Sequence, residues 1–93
     1  MISQSAGRLN IGCAMVMENA RALLDSGRSL MAPGEVVFDL SSVEEADSSA
    51  VAVMLGWLRH AVLLRSTVCF VGVPAGVLSL AKLYGVAELL PQA

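Results

Sequence analysis

Val36-Val37-Phe38-Asp39-Leu40-Ser41-Ser42-Val43-Glu44-Glu45-Ala46-Asp47-Ser48-Ser49-Ala50 is the stretch on which the fold turns. Its first five residues form a short, nearly continuous apolar run, the pattern of a strand covered on both faces, and are expected to be the central strand. Ser41 to Ala46 is a polar connection. Asp47, Ser48 and Ser49 then offer side-chain oxygens to the free backbone N–H groups of a helix, so a helix is expected to begin at Asp47 or Ser48. No proline interrupts it before Arg65, and its one glycine, Gly56, costs only about 1 kcal/mol relative to alanine, so it is expected to run to about Arg65.

Upstream, Leu9 to Val16 reads as an opening strand with small residues on one face. Met17 to Met31 reads as a helix in which Ala20, Leu23, Leu24 and Leu30 recur at helical spacing, with Gly27 as a weak point and Pro33-Gly34 as the stop. Downstream, Ser66 to Val73 reads as a second buried strand closed by Pro74. Ala75 to Tyr84 reads as a short helix with Gly85 as its left-handed cap, and the tail holds one apolar cluster, Val86, Leu89 and Leu90. Strands alternating with helices predict an α/β domain with a mixed, at least partly parallel sheet and helices packed on it.

At 93 residues the chain is expected to form one domain, residues 1–93, around one core. Its hydrophobic share of 56% and mean hydropathy of +0.71 are high for so small a body, which points to apolar surface held against a partner. The net charge is -2 and the six basic residues are scattered, which argues against nucleic acid or an anionic membrane as the main ligand. Cys13 and Cys69 form no CxxC pair and are expected to be reduced and buried. Residues 1–8 lack the apolar core of a secretory signal, and the longest apolar run, Ala50 to Leu58, is far short of the ~20 residues of a membrane span. A cytoplasmic location with no membrane span of its own is therefore expected.

No GxGxxG or P-loop pattern occurs, so no phosphate-cradling loop of those kinds is expected, and no cofactor or metal is required. His60 is the lone histidine and has no second ligand near it in sequence; a solvated or partner-facing role is expected. Glu44, Glu45 and Asp47 read as a solvated loop plus a helix cap. Ser48 is the position with the most to offer, because a hydroxyl, or a phosphate attached to it, would sit where helix amides point outward. After it, Val51, Met54, Leu55, Leu58 and Val62 form one apolar stripe, while Val53, Trp57 and Leu64 lie on another side. That second patch either fills more of the core or marks a binding surface beginning beside Ser48, and the binding surface is expected.

The strand ending in Asp39-Leu40, the short loop and Asp47-Ser48 at a helix start resemble the signature of the STAS family, and Leu80-Ala81-Lys82-Leu83-Tyr84-Gly85 with Leu89-Leu90-Pro91 resembles the end of its MlaB branch. The two segments cover the chain from Val36 onward. The resemblance implies a non-catalytic regulatory or assembly subunit of an ABC-type phospholipid transport system that maintains lipid asymmetry of the outer membrane. It implies an MlaF-like cytosolic ATPase as the partner, in a complex with an MlaE-like permease and an MlaD-like substrate-binding subunit. The chain would then be cytoplasmic and held at the inner membrane through that complex. Ser48 would lie at the ATPase contact, with Asp47, Ser49, Val51 and Ala52 as contact or capping residues. Family members often carry glycine where this chain has Ala50. The alternative within the family is an anti-sigma-factor antagonist switched by phosphorylation of Ser48. An enzyme using Ser48 as nucleophile lacks a histidine or lysine base placed by motif.

Overall fold

The computed structural model describes residues Met1–Ala93, which fold as a four-stranded mixed sheet with three helices. Strands β1 (Ile2–Ser5) and β2 (Arg8–Ile11) form an antiparallel hairpin, and β3 (Gly34–Asp39) and β4 (Ser66–Val71) follow in parallel, in the order β1-β2-β3-β4. Helix α1 (Met17–Leu30) joins β2 to β3, α2 (Ser49–Leu64) joins β3 to β4, and α3 (Ala75–Leu83) leads to a single 3-10 turn at Ala87–Leu89. No helix is long and apolar enough to cross a membrane.

Both crossovers step the same way across the sheet, and right-handed connections that do so put their helices on one face. The burial follows. Leu9, Ile11, Val36, Phe38, Val68 and Phe70 point under the helices and are buried, while their neighbours Arg8, Asn10, Val37, Asp39, Cys69 and Val71 are not. β3 is therefore central in the sheet but not covered on both faces; its apolar run is continuous because Val37 occupies the open side beside Cys69. Every fully buried side chain is apolar, and Gly27 is the one other buried residue.

The opening strand is shorter than its sequence implies. β2 ends at Ile11, and Met15 returns only as an isolated bridge to Ala46, because β1 supplies the pairing for Arg8–Ile11 alone. The α2 stripes also need correction. Trp57 and Val53 are core residues rather than partner surface, Leu64 is half-buried, and in the other stripe Met54 is buried while Val62 is 78% exposed rather than packed. Helix α2 is wedged between the sheet, α1 and α3, so a wide arc of it is buried, as expected for a helix apolar nearly all round. Trp57 stacks on Phe38 with ring centroids 4.1 Å apart and 4° between planes. Its indole N–H donates to the Leu24 carbonyl at 3.3 Å. Gly27 is the reason α1 can approach so closely: a Cβ there would lie 2.1 Å from the indole nitrogen.

The ends of the elements carry their own chemistry. Gly85 takes a left-handed φ of 73°, its N–H donating to Lys82 and that of Val86 to Ala81, which closes α3 with the expected double cap. The tail then docks on the free edge of β4: Phe70 donates to the Pro91 carbonyl and accepts from the Ala93 N–H. At the end of α2, Arg65 adopts φ 58°, ψ 42° without glycine's freedom. A Cβ in that region costs about 1 kcal/mol or more, so Arg65→Gly is expected to raise stability by about 0.5–1 kcal/mol in urea denaturation, part of the gain being offset by the looser unfolded chain. A loss of stability would show that the Arg65 side chain holds the turn. Cys13 and Cys69 are free and half-buried, more open than their composition implies.

Candidate functional site: the shared start of two helices

The loops after β2 and β3 meet at the carboxyl edge of the sheet. The Met15 N–H donates to the Glu45 carbonyl at 2.9 Å, and the Asp47 N–H donates to the Met15 carbonyl at 3.1 Å. This pairing brings the first turns of α1 and α2 together on a single side chain. Asp47 Oδ1 accepts from the Ser49 backbone N–H at 2.9 Å and from the Ser49 hydroxyl. Its Oδ2 accepts from the Met17 N–H at 3.0 Å, at the first residue of α1. One carboxylate thus caps both helices, and the partial positive charge of both amino termini falls on it.

Asp47 is held below the usual carboxylate range, first by the hydrogen bond from the Ser49 hydroxyl and then by the Met17 and Ser49 amides. Asp39, at the other end of the same connection, is lowered by the same device: the Ser41 hydroxyl and N–H donate to it, with Arg8 adding a contact at 3.2 Å. Asp39-Leu40-Ser41 and Asp47-Ser48-Ser49 are two copies of one local turn, each an aspartate accepting from the residue two positions on.

A group whose folded-state pKa is depressed stabilises the fold fully above its unfolded value, near pH 4, and that contribution is lost as pH falls through the folded value. An Asp47→Asn variant keeps an acceptor oxygen but not the charge. It is expected to be less stable than the parent at pH 7 and to converge on it as the pH is lowered toward 2 in urea melts. A gap that stays constant with pH would show that the Asp47 charge contributes nothing to folding.

With Asp47 and Ser49 making the cap, Ser48 is left out of it. Ser48 is exposed and already helical at φ -61°, ψ -22°, so it lies at the first turn with its hydroxyl outside the Asp47 bonds. Ala52, one turn on, is also exposed, whereas Ser49 is half-buried. Val51 belongs elsewhere: it is 3% exposed and packs in the core, which removes it from the accessible surface. Met17, which the sequence pattern gave no reason to select, joins the site from α1 at 75% exposure. Ala50 is fully buried under the first turn of α2, so the position tolerates a methyl group without disturbing the turn. His60 lies twelve residues beyond Ser48 along α2, ~18 Å at helical rise, too far to act on its hydroxyl. Glu44 and Glu45 are exposed in the loop.

No curated protein matches the sequence. Solved structures do match the fold. An anti-sigma-factor antagonist (STAS) domain protein from Planctomyces limnophilus superposes with a TM-score of 0.70 at 14% identity, covering 99% of this chain and 86% of that one. A candidate anti-sigma factor antagonist from Thermotoga maritima superposes with a TM-score of 0.69 at 16% identity, covering 99% of this chain and 83% of that one. At these identities the likeness speaks for the fold. The sequence model of the family described as "Mlab, STAS domain" matches residues 2–91, which takes in the β1–β2 hairpin, both Asp-x-Ser turns and the tail as far as Pro91. The chain therefore belongs to the STAS domain family, in its MlaB-like group.

Proposed function

We propose that the chain is a non-catalytic assembly subunit that docks on the cytosolic ATPase of an ABC-type phospholipid transporter through the surface around Ser48. The observation that carries this reading is the free Ser48 hydroxyl, exposed where two helices start, in a chain of the MlaB-like group. Asp47 spends both oxygens inside the fold, so the cap is rigid and Ser48, Ala52 and Met17 are presented on a fixed base. Rigid presentation lowers the entropy cost of binding. The permease and substrate-binding subunits would be reached through the ATPase, placing the chain at the cytoplasmic side of the inner membrane.

The names of the two structural neighbours favour a second reading, an anti-sigma-factor antagonist switched at Ser48. A phosphate there would meet the positive ends of α1 and α2. One experiment separates the two. The tagged domain is recovered from its own cells, its partners are identified by mass spectrometry, and Ser48 is examined for phosphate. An ABC ATPase recovered with unmodified Ser48 is the expected result. A serine kinase recovered with phosphorylated Ser48 would overturn the transport reading in favour of the switch.

A further inference from the structure

Helices α1 and α2 leave a groove of about 470 Å³ between them, which begins beside the Ser48 surface and runs away from it. Its α1 wall is a single stripe: Met17, Ala20 and Leu24 supply the apolar part, and Arg21 and Arg28 stand along it, while Ala52 and Val53 line it from α2. The stripe follows the spacing i, i+3, i+4, i+7, i+11, so all five α1 residues face the same way over ~16 Å. Leu24 is seated by a missing side chain opposite, since a Cβ on Gly56 would lie 2.6 Å from its Cδ1.

The groove's charge is opposite to that of the whole chain. The chain carries -2, yet two of its six cations line this one groove and no carboxylate does. Arg21 has no acidic partner, and Arg28 has only Asp25 at 3.7 Å, an exposed pair of the kind that contributes little. The depression below the β2–α1 loop is the reverse, with Glu44 and Glu45 in its lining and no cation.

We propose that this groove receives an acidic amphipathic helix of the partner protein, with Asp or Glu at positions i and i+7 flanking apolar side chains at i+3 and i+4. The spacing comes from the groove itself: Arg21 and Arg28 are seven residues apart, ~10 Å along α1, which matches two turns of an occupant lying along it. Apolar side chains between the two carboxylates would enter over Leu24. The proposal rests on the docking reading above and extends it, because Met17 and Ala52 belong to both surfaces.

The test uses the full chain, isotope-labelled, titrated with two synthetic helical peptides of about 15 residues. One carries Glu at i and i+7 with Leu at i+3 and i+4; the other has Lys in place of Glu. The Glu peptide is expected to shift the amides of Ala20, Leu24 and Ala52 with saturation, at least about tenfold more tightly than the Lys peptide, and the preference is expected to vanish in Arg21→Gln/Arg28→Gln. Equal binding of both peptides, shifts on another face, or none at millimolar peptide would overturn the proposal. So would line broadening at the groove without peptide, which would assign it to a second copy, or selective binding of phosphatidylglycerol vesicles through these arginines, which would assign it to lipid. Recovery of no ATPase from cells alongside a positive titration would sink the transporter reading and leave the groove assignment standing. An ATPase recovered equally by the parent and by Arg21→Glu/Arg28→Glu would do the opposite.

Discussion

A Trp57→Ala variant is expected to lose ~3–5 kcal/mol, a large part of the ~5–14 kcal/mol that a domain of this length holds. The loss has three sources in one side chain. Trp57 is fully buried, its ring stacks on Phe38 in β3, and its N–H holds the Leu24 carbonyl of α1. Removing it separates the central strand from both helices at once. Gly27 gives the complementary test. On helix propensity alone Gly27→Ala should stabilise α1 by about 1 kcal/mol. The indole leaves no room for the methyl group, so the substitution is expected to destabilise instead, by ~1–3 kcal/mol. Combining Gly27→Ala with Trp57→Phe removes the colliding ring edge and is expected to recover part of that loss. Additive losses in urea denaturation would show that Gly27 and Trp57 do not share the space the contact implies.

The elements that could be read from sequence were those whose signals are local. α1 and β3 lie close to their expected bounds because periodicity and the Pro33-Gly34 stop are written in the segments themselves. β1 was not legible. Ile2-Ser-Gln-Ser5 has one apolar residue, and its hairpin turns on Ala6-Gly7, both with positive φ, rather than on the Asn-Gly or Asp-Gly pair that usually signals such a turn. Which face of α2 meets the sheet was also hidden, because that helix is apolar on most sides and only the neighbours decide. At the site, Asp47 as a cap followed from residue type, but its second bond to Met17 depends on two loops pairing across thirty residues of chain. The same pairing brings Met17 to Asp47, the residue before Ser48, and nothing in the spacing of either loop announces it.

Ser48→Arg is expected to abolish recovery of the ATPase, with a loss of at least about 2 kcal/mol of binding, thirtyfold or more, the scale of a central interface residue. Two effects act together. A long side chain on the exposed first turn of α2 stands in the way of any surface closing over Ala52 and Met17. A cation placed there faces the positive ends of two helices, which it cannot neutralise and which the partner would have to desolvate with it. The fold itself should barely respond, because Ser48 takes no part in the Asp47 cap and surface changes of this kind stay within about 0.5–1 kcal/mol. Leu63→Arg is the control for added charge, since Leu63 is 78% exposed at the far end of the same helix. It is expected to leave recovery intact. If Ser48→Arg still co-purifies with the ATPase at full stoichiometry, the docking surface is elsewhere. The phospho-switch reading makes a different demand on the same position: Ser48→Asp, which places negative charge where both helix termini favour it, should then release the partner as phosphate would, while Ser48→Ala should lock the partner on. Under the transport reading neither substitution toggles the complex between two states, so the pair of variants decides between the readings even where Ser48→Arg weakens both.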